Sequence, residues 1–145
     1  MATWTIHNKI KEKFIDGSDL NLDTGGDTLK LVLATDAHAP VAADEFLADA
    51  TLTQVTGTGY TAGGITIDGQ TVSEVTGTVT FDADDEVIAQ NAGGFTTARY
   101  AVLIKDTGNA ATSPIIASSD LGGNKGNVDG DLTFSWNASG ILTIA

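Results

Sequence analysis

The stretch ARYAVLIKDTG, residues 98–108, contains the most apolar run of the chain, Ala101 to Ile104. Aromatic and β-branched residues of this kind favour strands. In a strand, successive side chains point to opposite faces, so Tyr100, Val102 and Ile104 would share one face. The stretch therefore predicts a strand in the hydrophobic core, and the remaining strands are placed relative to it.

Arg99 directly precedes this run and is the only arginine in a chain that contains 19 Asp and Glu residues. No nucleophile, acid pair or general base accompanies it, so the motif does not indicate catalysis. A guanidinium can form two parallel hydrogen bonds to a carboxylate. We expect Arg99 to make such a bridge, either within the fold or across an interface.

Other segments show strand patterns separated by turn signals. In DTLKLVLAT, residues 27–35, leucines alternate with Lys30 and Val32, which predicts a strand with one buried face. Asp68-Gly69 is a two-residue hairpin signal, and Asn137 to Gly140 is expected to form the turn of a C-terminal hairpin. Further strands are expected in residues 65–67, 75–83, 113–120, 131–137 and 140–145.

These strands follow one another without intervening helices, which favours an antiparallel arrangement. Residues 1–145 are therefore interpreted as one all-β domain, mainly an antiparallel β-sandwich, with an N-terminal helix and a short helical turn around Asp44 to Ala50. The predicted core contains Leu29, Leu31, Leu33, Tyr100, Val102, Ile104, Phe134, Trp136, Leu142 and Ile144.

The N-terminal segment, residues 1–16, carries apolar residues near helical spacing, at Trp4, Ile6, Ile10 and Phe14. This spacing predicts a helix of about three turns from near Thr5 to Ile15. Two roles for the helix remain open, namely capping its own sandwich and contacting a neighbour. The candidate interaction residues are Trp4, Lys9, Lys11, Lys13 and Arg99.

Composition narrows the function classes. The net charge of −12 opposes binding to nucleic acid, because phosphate contacts require clustered Lys and Arg. The chain contains no cysteine, which excludes disulfides and thiolate chemistry. No run approaches the roughly 20 apolar residues of a membrane span, and the N-terminus lacks the apolar region of a signal peptide.

The sequence offers little chemistry. His7 and His38 are the only histidines, and neither lies in a catalytic or metal-binding motif. Two acidic segments, residues 82–86 and 129–131, could supply calcium ligands but lack the spacing of an EF-hand loop. We therefore predict no catalytic, cofactor-binding or metal-binding residues, no cofactor and no enzyme activity.

Four segments together resemble a family of small structural proteins of tailed bacteriophages. They are DTLKLVL, APVAADEFLADATLTQVTGTGYTAGG, ARYAVLIKDT and GDLTFSWNASGILTIA, which begin at residues 27, 39, 98 and 130. The resemblance implies a non-enzymatic virion component, most readily a capsid decoration or cement protein. Its expected partners are the major capsid protein and further copies of itself, on the outer capsid surface after synthesis in the host cytoplasm.

Two alternatives accompany this expectation. A tail or neck adaptor would belong to the same class of structural proteins and would differ in copy number. A carbohydrate- or calcium-binding sandwich module would belong to another class. It would use Trp4, Tyr60 or Trp136 as stacking platforms and the acidic segments as ion ligands.

Overall fold

The strand predicted from residues 98–108 lies inside a five-stranded antiparallel sheet. The computed structural model describes residues 3–16 and 20–145. The elements are β1 (Trp4–Ile6), α1 (Asn8–Lys13), β2 (Leu29–Ala34), β3 (Ile65–Thr66), β4 (Thr71–Val75), β5 (Thr78–Asp82), β6 (Glu86–Ile88), β7 (Ala98–Lys105), β8 (Ile115–Lys125), β9 (Leu132–Phe134) and β10 (Leu142–Ile144). The five-stranded sheet has the order β1-β8-β7-β2-β3.

The strands at the centre of this sheet are buried on both faces. On β2, Leu31 packs into the larger core cluster, whereas its neighbour Val32 packs into a second, smaller cluster. On β7, Leu103 and Val102 divide in the same way. The expectation that β2 has only one buried face was therefore wrong. Its apolar residues are continuous from Leu31 to Ala34 because both faces are covered.

The larger core lies between the five-stranded sheet and two smaller sheets. These have the orders β10-β5-β4 and β6-β9, and all their pairings are antiparallel. Phe81 from β5, Ile88 from β6 and Phe134 from β9 belong to the same core cluster as Leu31. This sandwich-like arrangement confirms the all-β prediction.

The smaller core is closed by a loop. Leu47 and Ala50 pack against Val102 and Ile115 on the face that points away from the larger core. The predicted helical turn around Asp44 to Ala50 is a series of hydrogen-bonded turns in this loop, without a helix. Its function in the fold is to cover the second face of the central strands.

The predicted N-terminal helix is shorter than expected. Trp4–Ile6 forms β1, which pairs with β8 at the edge of the five-stranded sheet. His7 keeps an extended backbone, and α1 spans only six residues. Trp4 and Ile6 also fit the period of two of a strand, and sheet pairing decides between the two patterns. Ile10 of α1 is fully buried in the larger core.

Both predicted hairpins were wrong in their pairing. Asp68-Gly69 joins β3 and β4, which belong to different sheets. The Asn137 to Gly140 turn forms, with the Gly140 N–H donating to the Asn137 carbonyl at 2.7 Å, but it joins β9 to β10 of another sheet. A local turn signal determines where the chain changes direction. Which strand the next one pairs with depends on how the apolar side chains are buried.

The hairpin that does form in this region joins β4 and β5 through Thr76-Gly77. Both residues have positive φ, 50° and 85°. This conformation is typical of a two-residue turn between antiparallel strands, and it is uncommon for a threonine. The segment from residue 75 to 83 was expected to be one strand and instead contains the last residue of β4, the turn and β5.

Most predicted core residues are buried, with three exceptions. Tyr100 and Leu142 are half-buried, and Ile144 is 52% exposed. β10 is an edge strand, and its Ile144 pairs with Val79, which is itself 37% exposed. Its last residue therefore extends past the part of the sheet that the core covers.

Leu31→Ala should lower the free energy of unfolding by about 2 to 5 kcal/mol, because it opens a cavity in the larger core. Val75→Ala, at a side chain that is 66% exposed, is the matched control and should change the free energy by less than about 0.5 kcal/mol. Urea denaturation of both variants measures the two values. Equal effects would show that β2 does not lie at the centre of the core.

Candidate functional site

Arg99 makes the predicted carboxylate contact within its own chain. Its Nη2 donates a hydrogen bond to Asp120 Oδ2 at 2.8 Å, and its Nε lies 2.7 Å from Oδ1 without the in-line geometry of a second hydrogen bond. The Arg99 side chain is about one-third exposed and that of Asp120 about half exposed. The pair therefore lies at the surface. Arg99 contacts a carboxylate of its own chain, but the expected pair of parallel hydrogen bonds is reduced to one.

The ion pair occurs where β8 departs from regular pairing. On β7, the segment from Ala98 to Tyr100 spans two residue steps. The segment of β8 that pairs with it, from Asp120 to Lys125, spans five. Asp120 also accepts a hydrogen bond from the Gly122 N–H at 2.8 Å. These hydrogen bonds, first that from Arg99, lower the pKa of Asp120. Arg99 thus fixes an irregular section of β8, which gives it a structural role.

The lysines of α1 do not form a free basic patch. Lys9 pairs with Glu12 at 2.7 Å, and Lys13 pairs with Glu45 at 3.2 Å. Lys11 is exposed. Two of the three cations that were expected to contact a partner are thus already paired with carboxylates of the same chain. Burial of Ile10 supports the reading in which the helix packs on its own sandwich.

Trp4 forms the common wall of two open grooves. Its ring lies 5.1 Å from that of Trp136, centroid to centroid. Trp136 is buried and donates its indole N–H to the Asp84 carbonyl at 2.9 Å. The larger groove, of about 720 Å³, also contains Asp120 in its lining, and the second has a volume of about 430 Å³. Trp4 and the carboxylate partner of Arg99 therefore line the same groove.

The other aromatic residues of the carbohydrate hypothesis have buried rings. Tyr60 is 8% exposed, its hydroxyl donates to Gln54 Oε1 at 2.6 Å, and it accepts from the Leu33 N–H at 3.1 Å. Burial raises the pKa of Tyr60 to about 12. Tyr60 thus anchors the GYTAGG loop to β2, and its ring is not available as a stacking platform.

Asn127 is a buried polar residue that the sequence interpretation missed. Its side-chain oxygen accepts from the Phe95 N–H at 3.0 Å, and its amide donates to the carbonyls of Thr58 and Ala89 at 3.0 and 2.9 Å. Asn127 is fully buried and therefore ties three loops together. An asparagine in a Gly-rich stretch is typical of any turn, so no local pattern distinguishes it.

His7 also has a structural position. It is fully buried, and its two ring nitrogens lie 2.9 Å from the Asp44 carbonyl and from Ser118 Oγ. These contacts connect β1 to β8 and to the loop that closes the smaller core. His38 is exposed.

The acidic segments serve as hydrogen-bond acceptors for nearby backbone. Asp85 accepts from the Trp136 N–H at 3.0 Å, and Asp131 accepts from the Gln90 N–H at 2.8 Å. Desolvation, and then the nearby charges of Asp68 and Asp84, raise the pKa of Glu86. Within residues 3–16 and 20–145, no three His, Asp or Glu side chains are grouped so that they could hold a metal ion.

An apolar groove lies on the inner face of the β10-β5-β4 sheet. Its volume is about 290 Å³. Three aliphatic side chains on the sheet remain exposed there, Val72 at 38%, Val79 at 37% and Ile144 at 52%. The sequence predicted Ile144 in the core because its alternation with Thr143 fits a buried face. The structure places Ile144 at the edge of this face, beyond the part that the larger core covers.

No family model, curated protein or solved structure matches this chain. In the described part of the chain, no helix has the length and apolar character needed to cross a membrane.

Asn127→Asp should destabilise the protein by at least about 2 kcal/mol, because it replaces a buried donor with an oxygen that faces two carbonyls. The unfavourable surroundings should raise the pKa of the new carboxyl above its unfolded value of about 3.9. The variant should therefore lose stability as the pH rises above about 4. Chemical denaturation across pH measures this loss, and Asn124→Asp, at an exposed position, is the charge-matched control.

Arg99→Gln should lower the melting temperature slightly at neutral pH, because the ion pair is exposed and such pairs contribute little. Asp120 has a lowered pKa in the folded state, so the pair contributes above the unfolded pKa of about 3.9 and is lost as the pH falls below it. The difference between the wild-type and variant melting temperatures should shrink in the same range. A difference that grew on acidification would contradict this assignment.

Proposed function

We propose that this chain is a non-enzymatic structural protein of a tailed-bacteriophage particle, and that it decorates the capsid by binding the major capsid protein. The proposal begins from the resemblance of four sequence segments to the family of small phage structural proteins. The structure supports it through the position of those segments.

The segments that carry the resemblance build the scaffold. DTLKLVL contains most of β2, ARYAVLIKDT contains β7, and the C-terminal segment contains β9 and β10. The GYTAGG segment places the Tyr60 hydroxyl between Gln54 and the backbone of β2. This observation carries the proposal, because residues that form a core and its supporting hydrogen bonds determine the fold that the members of a family share.

The surface charge is suited to the same role. Five of the seven Lys and Arg residues are paired with carboxylates of the same chain, and the net charge is −12. An acidic outer surface repels packaged DNA and the phosphate backbone generally. A protein that binds the outside of the head is consistent with this distribution.

Quantitative mass spectrometry of purified particles, with antibody labelling in electron micrographs, tests the proposal. We expect many copies distributed over the head. About six or twelve copies at one vertex would instead indicate a neck or tail component, because those structures follow the symmetry of a single axis. Absence of the chain from washed particles would contradict both assignments.

A further inference from the structure

The β10-β5-β4 sheet has one apolar and one hydroxyl-rich face. Paired residues of antiparallel strands point to the same face. The register therefore forms two rows on the inner face, Leu142–Phe81–Val72 and Ile144–Val79–Glu74. The opposite face carries the row Thr143–Thr80–Ser73.

The first inner row is covered at Phe81 and partly at Leu142, whereas Val72 at its edge is 38% exposed. Phe81 is 3% exposed and belongs to the larger core. Phe14 and Leu20 pack against that core and form the far wall of the groove. The second row lies beyond this cover, and Ile144 and Val79 remain exposed there. Val72, Val79 and Ile144 thus offer neighbouring apolar side chains around one groove to a partner.

One carboxylate lines the groove, and a second lies on the same sheet face outside its lining. Asp23 lines it, and its Oδ1 accepts from the N–H groups of Thr24 and Val72 at 2.8 and 3.1 Å. Glu74 ends the second row and accepts from the Gly77 N–H at 2.6 Å. In the described chain, neither carboxylate is paired with a Lys or Arg, since the ion pairs involve other acids.

The charge distribution favours a basic occupant over a second copy. A second copy would bring a further net charge of −12 to the contact, and like charges across an interface are unfavourable. Most cations of this chain are already paired. Lys11 is exposed and precedes Phe14 by three residues. One cation therefore lies near this end of the groove, compared with two carboxylates.

We infer that the groove is the docking surface for the capsid. It receives an apolar side chain from a segment of the major capsid protein that also carries Lys or Arg residues, which lie against Asp23 and Glu74. The inference rests on the proposed function and specifies the partner surface for it. The hydrophobic row supplies burial on contact, and the carboxylates select a basic segment over an acidic one.

Co-sedimentation with heads of the encoding phage, prepared without this protein, tests the inference. Val79→Ser and Ile144→Ser should each weaken binding about tenfold, because side chains at the centre of a contact dominate its affinity. Val75→Ser is the matched control. It lies on the same sheet but on the opposite face, is 66% exposed, and should bind as the wild type does. Val79 is partly buried, so Val79→Ser should lower the melting temperature modestly, and binding is compared at a temperature at which all three variants are folded.

Glu74→Gln tests the charge component, since glutamine retains an acceptor for the Gly77 N–H. It should weaken binding and reduce its dependence on ionic strength between about 0.05 and 0.5 M. If the wild type binds heads and Val79→Ser and Ile144→Ser bind them with the same affinity, the docking surface is overturned while the proposed function stands. Failure of the wild type to bind heads would overturn both. Self-association that these two substitutions abolish would identify a second copy as the occupant.

Discussion

The fold depends on the burial of the central strands on both faces. β7 pairs with β2 over six residue pairs and with β8 on its other side, and the side chains of these strands alternate between two separate cores. Each core requires its own cover. The smaller sheets and α1 cover one face, and the loop around Leu47 covers the other. The arrangement of the other elements follows from these two requirements.

Polar residues brace the loops around this centre. Asn127 and His7 are each hydrogen-bonded to two partners far away in sequence, and the Tyr60 hydroxyl bonds to Gln54 and to the more distant backbone of Leu33. A buried polar group is stable only where its hydrogen bonds are satisfied, so each of these residues favours a single loop arrangement. The cations act similarly at the surface, since Arg99 holds β8 and Lys13 holds the loop at Glu45. We interpret the chain as a rigid scaffold with its excess of acid directed outwards.

The strands that could be predicted from the sequence are those whose own residues determine that they are buried. β2 and β7 were recognised because apolar runs of that length between turn signals have few alternatives. The pairing of strands was harder to predict, since Asp68-Gly69 and Asn137 to Gly140 give local turns whose flanking strands join different sheets. The N-terminal helix was predicted to be too long, because the spacing of Trp4 and Ile6 fits both the period of a helix and that of a strand. Only the available edge of β8 decides in favour of a strand.

The candidate site was less predictable than the fold. Arg99 was expected to bind a carboxylate, because a lone guanidinium among 19 acids has many possible partners. Its partner Asp120 and the buried Asn127 depend on contacts between distant segments, which a single sequence does not reveal. Ile144 illustrates the same limit. Its alternation correctly predicted an apolar sheet face, but whether a face is covered by the chain itself depends on tertiary packing.

Hydrogen–deuterium exchange of the free and head-bound protein tests the account most directly. In the free protein, the amides of β2 and β7 should exchange most slowly, and those of β4, all of whose residues are exposed, among the fastest. On binding to heads, β4, β5 and β10 should gain protection while α1 and the Arg99 region remain unchanged. Protection gained at α1 with none at β4 would contradict the account, because it would place the contact on the N-terminal helix.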